Sequence, residues 1–515
     1  MTALDLVIGM DIGTTSTKGV LYDTDGTVIA TADTLYPLIQ DQPDKAEQDP
    51  DEILAAVVSV ISRIVKDAGP HKARIAGVSF SSAMHSLIVL DETEQLVTQS
   101  ITWADNRSHR WAQHLKDNLN GLEIYKRTGT PIHPMSPLSK LLWLKNDEPA
   151  VYKQARYFIG IKEYIFLRLF NRRVVDMSIA SATGLYNIHT LDWDEEVLSL
   201  LAIDASYLSE VVETNAAISG LDARYAAAMG LAEDIPFFIG ASDGVLSNLG
   251  VNAIDGETLA LTIGTSGAVR MVVNEPRVDP KGRTFCYALT KDRWVIGGAV
   301  NNGGIVFRWV RDQLYPSETL TGGERYDMLT EKASQIAAGS NGLIFHPFLG
   351  GERAPLWDAN AKGSFIGLTQ AHTRDHMIRA ALEGIVFNLY SVLLVLEEIA
   401  PLPKRIHATG GFARSSLWRQ LLADIFEQEV VIPESFESSC LGAAVLAMEE
   451  LGLVASLEAV APMVGVTHAH IPNEAHFAAY RELFPIFVRT TRLLQTEFAA
   501  LADFQRHTHY SLGAE

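Results

Sequence analysis

Leu6-Val7-Ile8-Gly9-Met10-Asp11-Ile12-Gly13-Thr14-Thr15-Ser16-Thr17-Lys18-Gly19-Val20-Leu21-Tyr22 is the stretch on which the fold turns, because the chain writes its core twice. Ile263-Gly264-Thr265-Ser266 repeats Ile12-Gly13-Thr14-Thr15-Ser16 in the same setting, with Leu259-Ala260-Leu261 before it and Val269-Arg270-Met271-Val272-Val273 after it. Two apolar runs joined by a short Gly/Thr/Ser tip predict a β-hairpin. Such a tip turns backbone N–H and hydroxyl groups toward one point, which makes an anion site. Either copy alone reads as an ordinary hairpin with a Thr-rich tip. The pair, in matching context, predicts two similar halves gripping one polyphosphate.

The rest of the composition narrows the class. A chain of 515 residues predicts at least two domains with sizeable cores. A formal net charge of −20 argues against nucleic acid or an anionic membrane as the main partner. A bound polyanion must then rely on local donors or a divalent metal. Cys286 and Cys440 are the only cysteines, too few for a disulfide framework or a cysteine zinc cluster, and they fit a reducing, cytoplasmic setting. Asp5 and Asp11 interrupt the first apolar run, so no signal peptide is expected. The apolar stretch from Ala380 to Ala400 contains Glu383, Asn388, Glu397 and Glu398, and reads as a buried helix rather than a membrane span.

Along the chain, each half opens with an antiparallel meander and continues as alternating helix and strand. Thr24-Asp25-Gly26 turns into a strand over Thr27 to Ala30, and Lys291-Asp292 plays the matching part later. Asp49-Pro50-Asp51-Glu52 starts a helix, with Asp as cap and Pro in the first turn. A buried strand over Ile75 to Phe80 comes next and ends in Ser81-Ser82-Ala83-Met84-His85. In the second half the pattern predicts a helix from Met377 to Glu398, a strand from Arg405 to Ala408, a helix from Ser416 to Phe426, a strand over Val430 to Ile432 and a small-residue helix around Leu441 to Ala444. Glycine and turn residues between Asn248 and Glu257 place a boundary there, giving domains 1–250 and 251–515. The 467–476 stretch and the residues after His507 read as surface connection and tail. No P-loop G-x-x-x-x-G-K-[ST], no G-x-G-x-x-G opening a helix after a strand and no H-E-x-x-H is present, which removes the commonest other phosphate and zinc machinery.

Asp11 to Ser16 resembles the first phosphate motif of the hexokinase/actin-like ATPases. Met135-Ser136-Pro137-Leu138-Ser139-Lys140-Leu141-Leu142-Trp143-Leu144 resembles the first signature of the FGGY carbohydrate kinases. Gly363-Ser364-Phe365-Ile366-Gly367-Leu368, with His376-Met377 and Ala380-Ala381-Leu382-Glu383, resembles their second. Within that family, Ser81 to Ser86, Thr102 to Arg107, Gly160 to Tyr164 and Asn301 to Gly304 are most similar to the gluconate-phosphorylating branch. The resemblance implies an α/β architecture of two ribonuclease H-like domains with a catalytic cleft between them, ATP and Mg²⁺ as cofactors, and a sugar acid as substrate. Xylulose is the nearest alternative substrate; a catalytically silent sugar or nucleotide sensor is the alternative class. The oligomeric state stays open, a homodimer among the options.

The same resemblance distributes roles. Asp243, in Gly240-Ala241-Ser242-Asp243-Gly244 after an apolar strand, is matched to the general base, although an Asp in a strand-end turn is common in its own right. Asp11 is expected to position metal, since Mg²⁺ takes one or two carboxylates and completes its shell with waters and phosphates. Gly13, Thr14, Thr15, Ser16 and Lys18, with Gly264, Thr265 and Ser266, are expected on the phosphates; a Lys on a hairpin face is more often simply solvated. Met84 and His85 are expected on the sugar, where a strand-end His serves equally as a structural hydrogen-bonding group. Trp103, Asp105 and Arg107 offer a flat wall with hydroxyl-binding groups, and a buried Trp beside a surface ion pair has the same sequence. Arg107 and Lys162 are the cations available to a sugar carboxylate, Lys162 reading also as a helix-surface residue. Gly410, Gly411, Arg414 and Ser415, with Gly442 beyond them, are expected around the nucleotide; small residues there serve close packing equally well.

Overall fold

The computed structural model describes residues 4–42, 44–316, 321–434 and 437–512, with side chains to 505. The backbone clusters into two compact units. The first comprises Met1–Asp255, Val272–Ile296 and Ser435–Gly465; the second comprises Gly256–Met271, Gly297–Glu434 and Val466–Glu515. Two segments from beyond the expected boundary near 250 therefore pack with the first unit.

The first unit is built on a six-stranded sheet in the order Ala217–Ile218, Phe237–Ser242, Ile75–Ser82, Leu6–Ile12, Ser16–Tyr22, Val28–Leu35. Leu6–Ile12 is antiparallel to Ser16–Tyr22, the expected hairpin, and parallel to Ile75–Ser82, which in turn is parallel to Phe237–Ser242. Three parallel strands buried on both faces explain the nearly unbroken apolar runs. Helix Pro50–Asp67 supplies part of the cover: Asp49 caps it by accepting from Asp51 N, and Ile53, Val57, Val60, Ile61 and Ile64 join the core. Helix Ser438–Glu450 closes on the same unit. The missing side chains of Gly9, Gly250 and Gly442 permit that approach, since a Cβ on them would meet Cys440 O at 2.0 Å, Ser438 O at 1.8 Å and Leu246 O at 2.1 Å.

A seven-stranded sheet repeats the plan: Phe285–Ala288, Trp294–Val300, Gly267–Val273, Thr258–Ile263, Arg405–Thr409, Val430–Pro433, Val466–His470. Thr258–Ile263 is antiparallel to Gly267–Val273 and parallel to Arg405–Thr409, the same arrangement as around Leu6–Ile12. Both sheets also end on an antiparallel strand, Ala217–Ile218 in one and Val466–His470 in the other. The duplication visible in two tips thus extends to whole sheets.

The second unit buries helix Arg374–Glu397, three residues longer at its start than the apolar pattern implies. Its polar residues are satisfied inside the unit. Glu383 accepts from Gly339 N, Ser340 Oγ and Arg379 Nε, and Asn388 donates to Glu352. Two expectations fail here. The 467–476 stretch contains edge strand Val466–His470, whose exposed side chains carry no apolar alternation to betray it. The expected tail after His507 continues helix Phe477–Leu512 as far as Leu512. Pro485 inside that helix disguises it, while Tyr480, Phe484 and Phe487 supply its buried face.

Candidate active site

In open α/β sheets ligands bind beyond the carboxyl ends of the parallel strands, and in the first unit three such ends lie side by side. Asp11 pairs in register with Ser81, and Ser81 with Ala241. Neighbouring strands run about 4.8 Å apart, so Asp11, Ser81 and the strand end leading to Asp243 form one short row. Ser81 Oγ donates to Asp11 Oδ1 at 2.7 Å. Asp11 keeps a path to solvent, but crowding protein atoms strip it of water. That desolvation first, and the negative charge of Asp243 second, push its pKa up to about 7 against the pull of Ser81. Asp243 is the first residue of helix Asp243–Gly250, partly exposed, with Oδ1 accepting from Gly244 N at 2.6 Å. Gly240 just before it adopts φ +67°, where a Cβ would lie 1.7 Å from Phe80 O, so the residue must be glycine.

The first tip is closed by Gly13 N donating to Ser16 O at 2.9 Å, leaving Thr15 exposed. Tyr36 Oη holds Gly13 O, while Gln48 Nε2 and Trp103 Nε1 hold Thr14 O and Oγ1, at 2.6 and 2.8 Å. Trp103, expected on the sugar, is thus anchored to the phosphate tip. Lys18 forms an ion pair with Glu437 at 3.0 Å while its side chain stays partly exposed.

The sugar candidates occupy the same unit. His85 is buried at φ +69°, a conformation unfavourable for a residue with a Cβ. Lys140 Nζ donates to His85 O at 2.6 Å and to Ile101 O at 3.3 Å, and His85 Nδ1 donates to Ala182 O. Burial pulls the Lys140 ammonium down to about 7. Met84 beside it is partly exposed. Asp105 is wholly buried and bonded to Ala46 N and Arg107, so it holds the Trp103–Arg107 segment in place instead of offering itself to a hydroxyl. Arg107 also pairs with Glu47 at 2.5 Å and lies 4.6 Å over the Trp143 ring. Lys162 is 2% exposed and faces Asp176 at 2.7 Å, which rules out a helix-surface position.

In the second unit Gly264 N donates to Ser266 O at 2.9 Å, the counterpart of the first tip shortened by one residue. Gly304 N and Ile305 N donate back to Gly264 O and Thr265 O, and a Cβ on Gly303 or Gly304 would collide with this tip. Gly264 and Thr265 open onto a pocket of about 350 Å³ that Gly411, Arg414 and Ser415 also line. Its wall is aromatic: Phe307 stacks on Tyr326 at 5.4 Å and meets Trp418 edge-on at 5.2 Å. The size, with an aromatic wall beside the polar side chains of Thr265, Asp327, Thr330, Arg414 and Ser415, suits a small amphipathic ligand such as a nucleoside. Gly410 at φ +112° turns the chain under Ile263. Gly442 has a different job. It is buried in helix Ser438–Glu450 of the first unit against Leu246, so its small size serves packing rather than nucleotide.

Sequence reading missed Ser81, Lys140, Asp176 and the Phe307–Tyr326–Trp418 wall. Lys140 lies within the Met135–Leu144 signature and Ser81 at the end of an apolar strand, so both carry a signal; the aromatic wall is assembled from three separate elements and carries none. Among the described residues no group of three or more His, Cys, Asp or Glu side chains could hold a metal by itself. The donor set at Asp11 and Asp243 nevertheless fits Mg²⁺, which takes one or two carboxylates and leaves the remaining positions to water and phosphate. The like charges that raise the Asp11 pKa are the ones a divalent cation would relieve.

The N-terminal domain of the FGGY family of carbohydrate kinases matches residues 6–250, and its C-terminal domain matches residues 259–450. A gluconokinase from Bacillus subtilis (strain 168) is 53% identical over 505 residues, covering 97% of this chain and 98% of that one. A solved gluconate kinase from Lactobacillus acidophilus superposes with TM-score 0.92 at 42% identity, covering 97% of this chain and all of that one. A solved xylulose kinase from the same organism gives TM-score 0.92 at 43% identity, covering 96% of this chain and 99% of that one.

Proposed function

The chain belongs to the FGGY family of carbohydrate kinases, and from that premise we propose that it transfers the γ-phosphoryl group of ATP to D-gluconate, yielding 6-phospho-D-gluconate and ADP. The observation that carries the substrate is the near full-length likeness to a gluconokinase. The chemistry is supported by the row of strand ends bearing Asp11, Ser81 and Asp243. Two buried free thiols suit a reducing cytoplasm.

Phosphoryl transfer asks the protein for positioning and charge management more than for covalent chemistry. Asp243 accepts the proton of the terminal gluconate hydroxyl as that oxygen bonds to the γ-phosphorus and the bond to ADP breaks. The Thr14–Ser16 tip of the first unit and the Gly264–Ser266 tip of the second present N–H and hydroxyl donors to phosphate oxygens. Asp11, with Asp243 nearby, would hold Mg²⁺, which when bound draws negative charge off the phosphate oxygens. Met84, His85 and Trp103 orient the polyol, and Arg107, partly exposed and already paired with Glu47 and Asp105, is the remaining candidate cation for its carboxylate. Gly411, Arg414, Ser415 and the aromatic wall seat the nucleoside.

A coupled ADP-release assay over gluconate, other sugar acids, xylulose and polyols tests the substrate. Gluconate is expected to give the highest kcat/KM. The likeness to a solved xylulose kinase makes xylulose the competing reading, and a higher kcat/KM for xylulose would replace gluconate with it.

A further inference from the structure

Lys162 and Asp176 form a buried ion pair directly behind the strand end that carries Asp243. Lys162 is the second residue of helix Ile161–Phe170, and Asp176 ends strand Val174–Asp176. Their side chains are 2% and 0% exposed, and Nζ lies 2.7 Å from Asp176 Oδ2. The ammonium also donates to the carbonyl of Ala241 at 3.1 Å. Asp176 uses its other oxygen, Oδ1, to accept from Ile179 N at 2.9 Å, capping the turn Met177–Ser181. That turn delivers Ser178, whose Oγ accepts from Ser242 N and donates to Ser242 Oγ, each at 3.2 Å.

The two residues before Asp243 are therefore each gripped from outside their own strand, Ala241 by Lys162 and Ser242 by Ser178. The grip falls where the sheet itself is weakest. The register of this strand against Ile75–Ser82 shifts between Phe238 and Ala241, at the positive-φ Gly240, so the ladder alone under-determines the path of the chain from Ala241 to Asp243. A buried ion pair adds little stability over apolar residues of the same volume, which leaves geometry as the reason to keep one here.

Resting on the reading of Asp243 as base, we propose that Lys162 and Asp176, acting through Ala241 and Ser178, are positioning residues that fix the carboxylate of Asp243 for proton transfer. Lys162 on this account makes no contact with the sugar acid. Displacing a reacting group by about 1 Å costs up to ~10²-fold in rate, and the loss falls on kcat because substrate binding does not depend on the brace.

The test uses the full-length enzyme with the double variant Lys162→Met/Asp176→Asn, which removes both charges together and strands neither. Its kcat is expected to fall ~10- to 10²-fold, with KM for gluconate within about threefold of wild type and an unchanged far-UV spectrum. Wild-type kcat in the folded double variant overturns the proposal, and so does a loss confined to gluconate KM, which would return Lys162 to the substrate. If that variant does not fold, Ser178→Ala decides, because it releases Ser242 without altering charge: a several-fold lower kcat at constant KM supports the brace, and unchanged kcat overturns it. Asp243→Asn is assayed in parallel. Near wild-type turnover there refutes the base itself, whereas a crippled Asp243→Asn beside an active double variant refutes the brace alone.

Discussion

Asp11 carries a proton affinity set partly by Asp243: the charge of Asp243, added to the desolvation of Asp11, lifts the Asp11 pKa to about 7 although Ser81 donates to it. Two carboxylates on either side of the end of strand Ile75–Ser82 repel, and the ligand-free protein bears that repulsion whenever both are ionised.

The consequence for stability has a definite sign. Folding raises the Asp11 pKa above its ordinary 3.8, so the folded state binds more protons and stability falls as pH rises from about 4 to about 7. Asp11→Asn removes the cost. In ligand-free protein its Tm is expected to exceed wild type by a few degrees at pH 8, by less near pH 5, and to converge on wild type near pH 4. Thermal melts across that range check this, and a gain that does not depend on pH contradicts it.

Asp243→Asn keeps the shape of the side chain and removes the proton acceptor. A loss in kcat of at least ~10²-fold is expected, with gluconate affinity by calorimetry little changed. Intact binding with near wild-type turnover would show that another group takes the proton.

Trp103→Phe keeps the flat wall and deletes the bond from Nε1 to Thr14 Oγ1. One such bond is worth about 1 kcal/mol, so KM for ATP at saturating gluconate is expected to rise roughly fivefold. A change confined to gluconate KM would mean that Trp103 serves the sugar alone.

Adjacent glycines in the second unit should respond differently. Gly410→Ala places a Cβ 2.2 Å from Ile263 O at φ +112° and is expected to lower Tm. Gly411 has no atom within 4 Å of its missing Cβ and lines the pocket. Gly411→Val should keep Tm and raise KM for ATP by about tenfold or more. Equal effects of the two on both measurements would separate the pocket from the nucleotide.

Much of this architecture could be read from residues because its signals are local. A duplicated Gly-Thr-Ser tip between apolar runs specifies two hairpins, and Asp49-Pro50 specifies a helix start. The features that escaped reading depend on contacts between distant segments. Lys162 looks like any helix lysine until Asp176 and Ala241 are placed around it. Gly442 looks like a nucleotide glycine until Leu246 is seen against it. Arg414 and Ser415 fell near the pocket by sequence, yet its aromatic wall comes from helices whose apolar faces read only as core.

Helix Ser438–Glu450 also imposes an order on biosynthesis. Residues 1–255 leave the ribosome with the faces of Gly9 and Gly250 still open, since the segment that covers them ends at Gly465. At about 5–20 residues per second, the intervening 210 residues (465 − 255) take roughly 10–40 s to appear. The nascent first unit must wait that long, half-clad, for its last helix, and chaperones that shield exposed apolar surface have that interval in which to act.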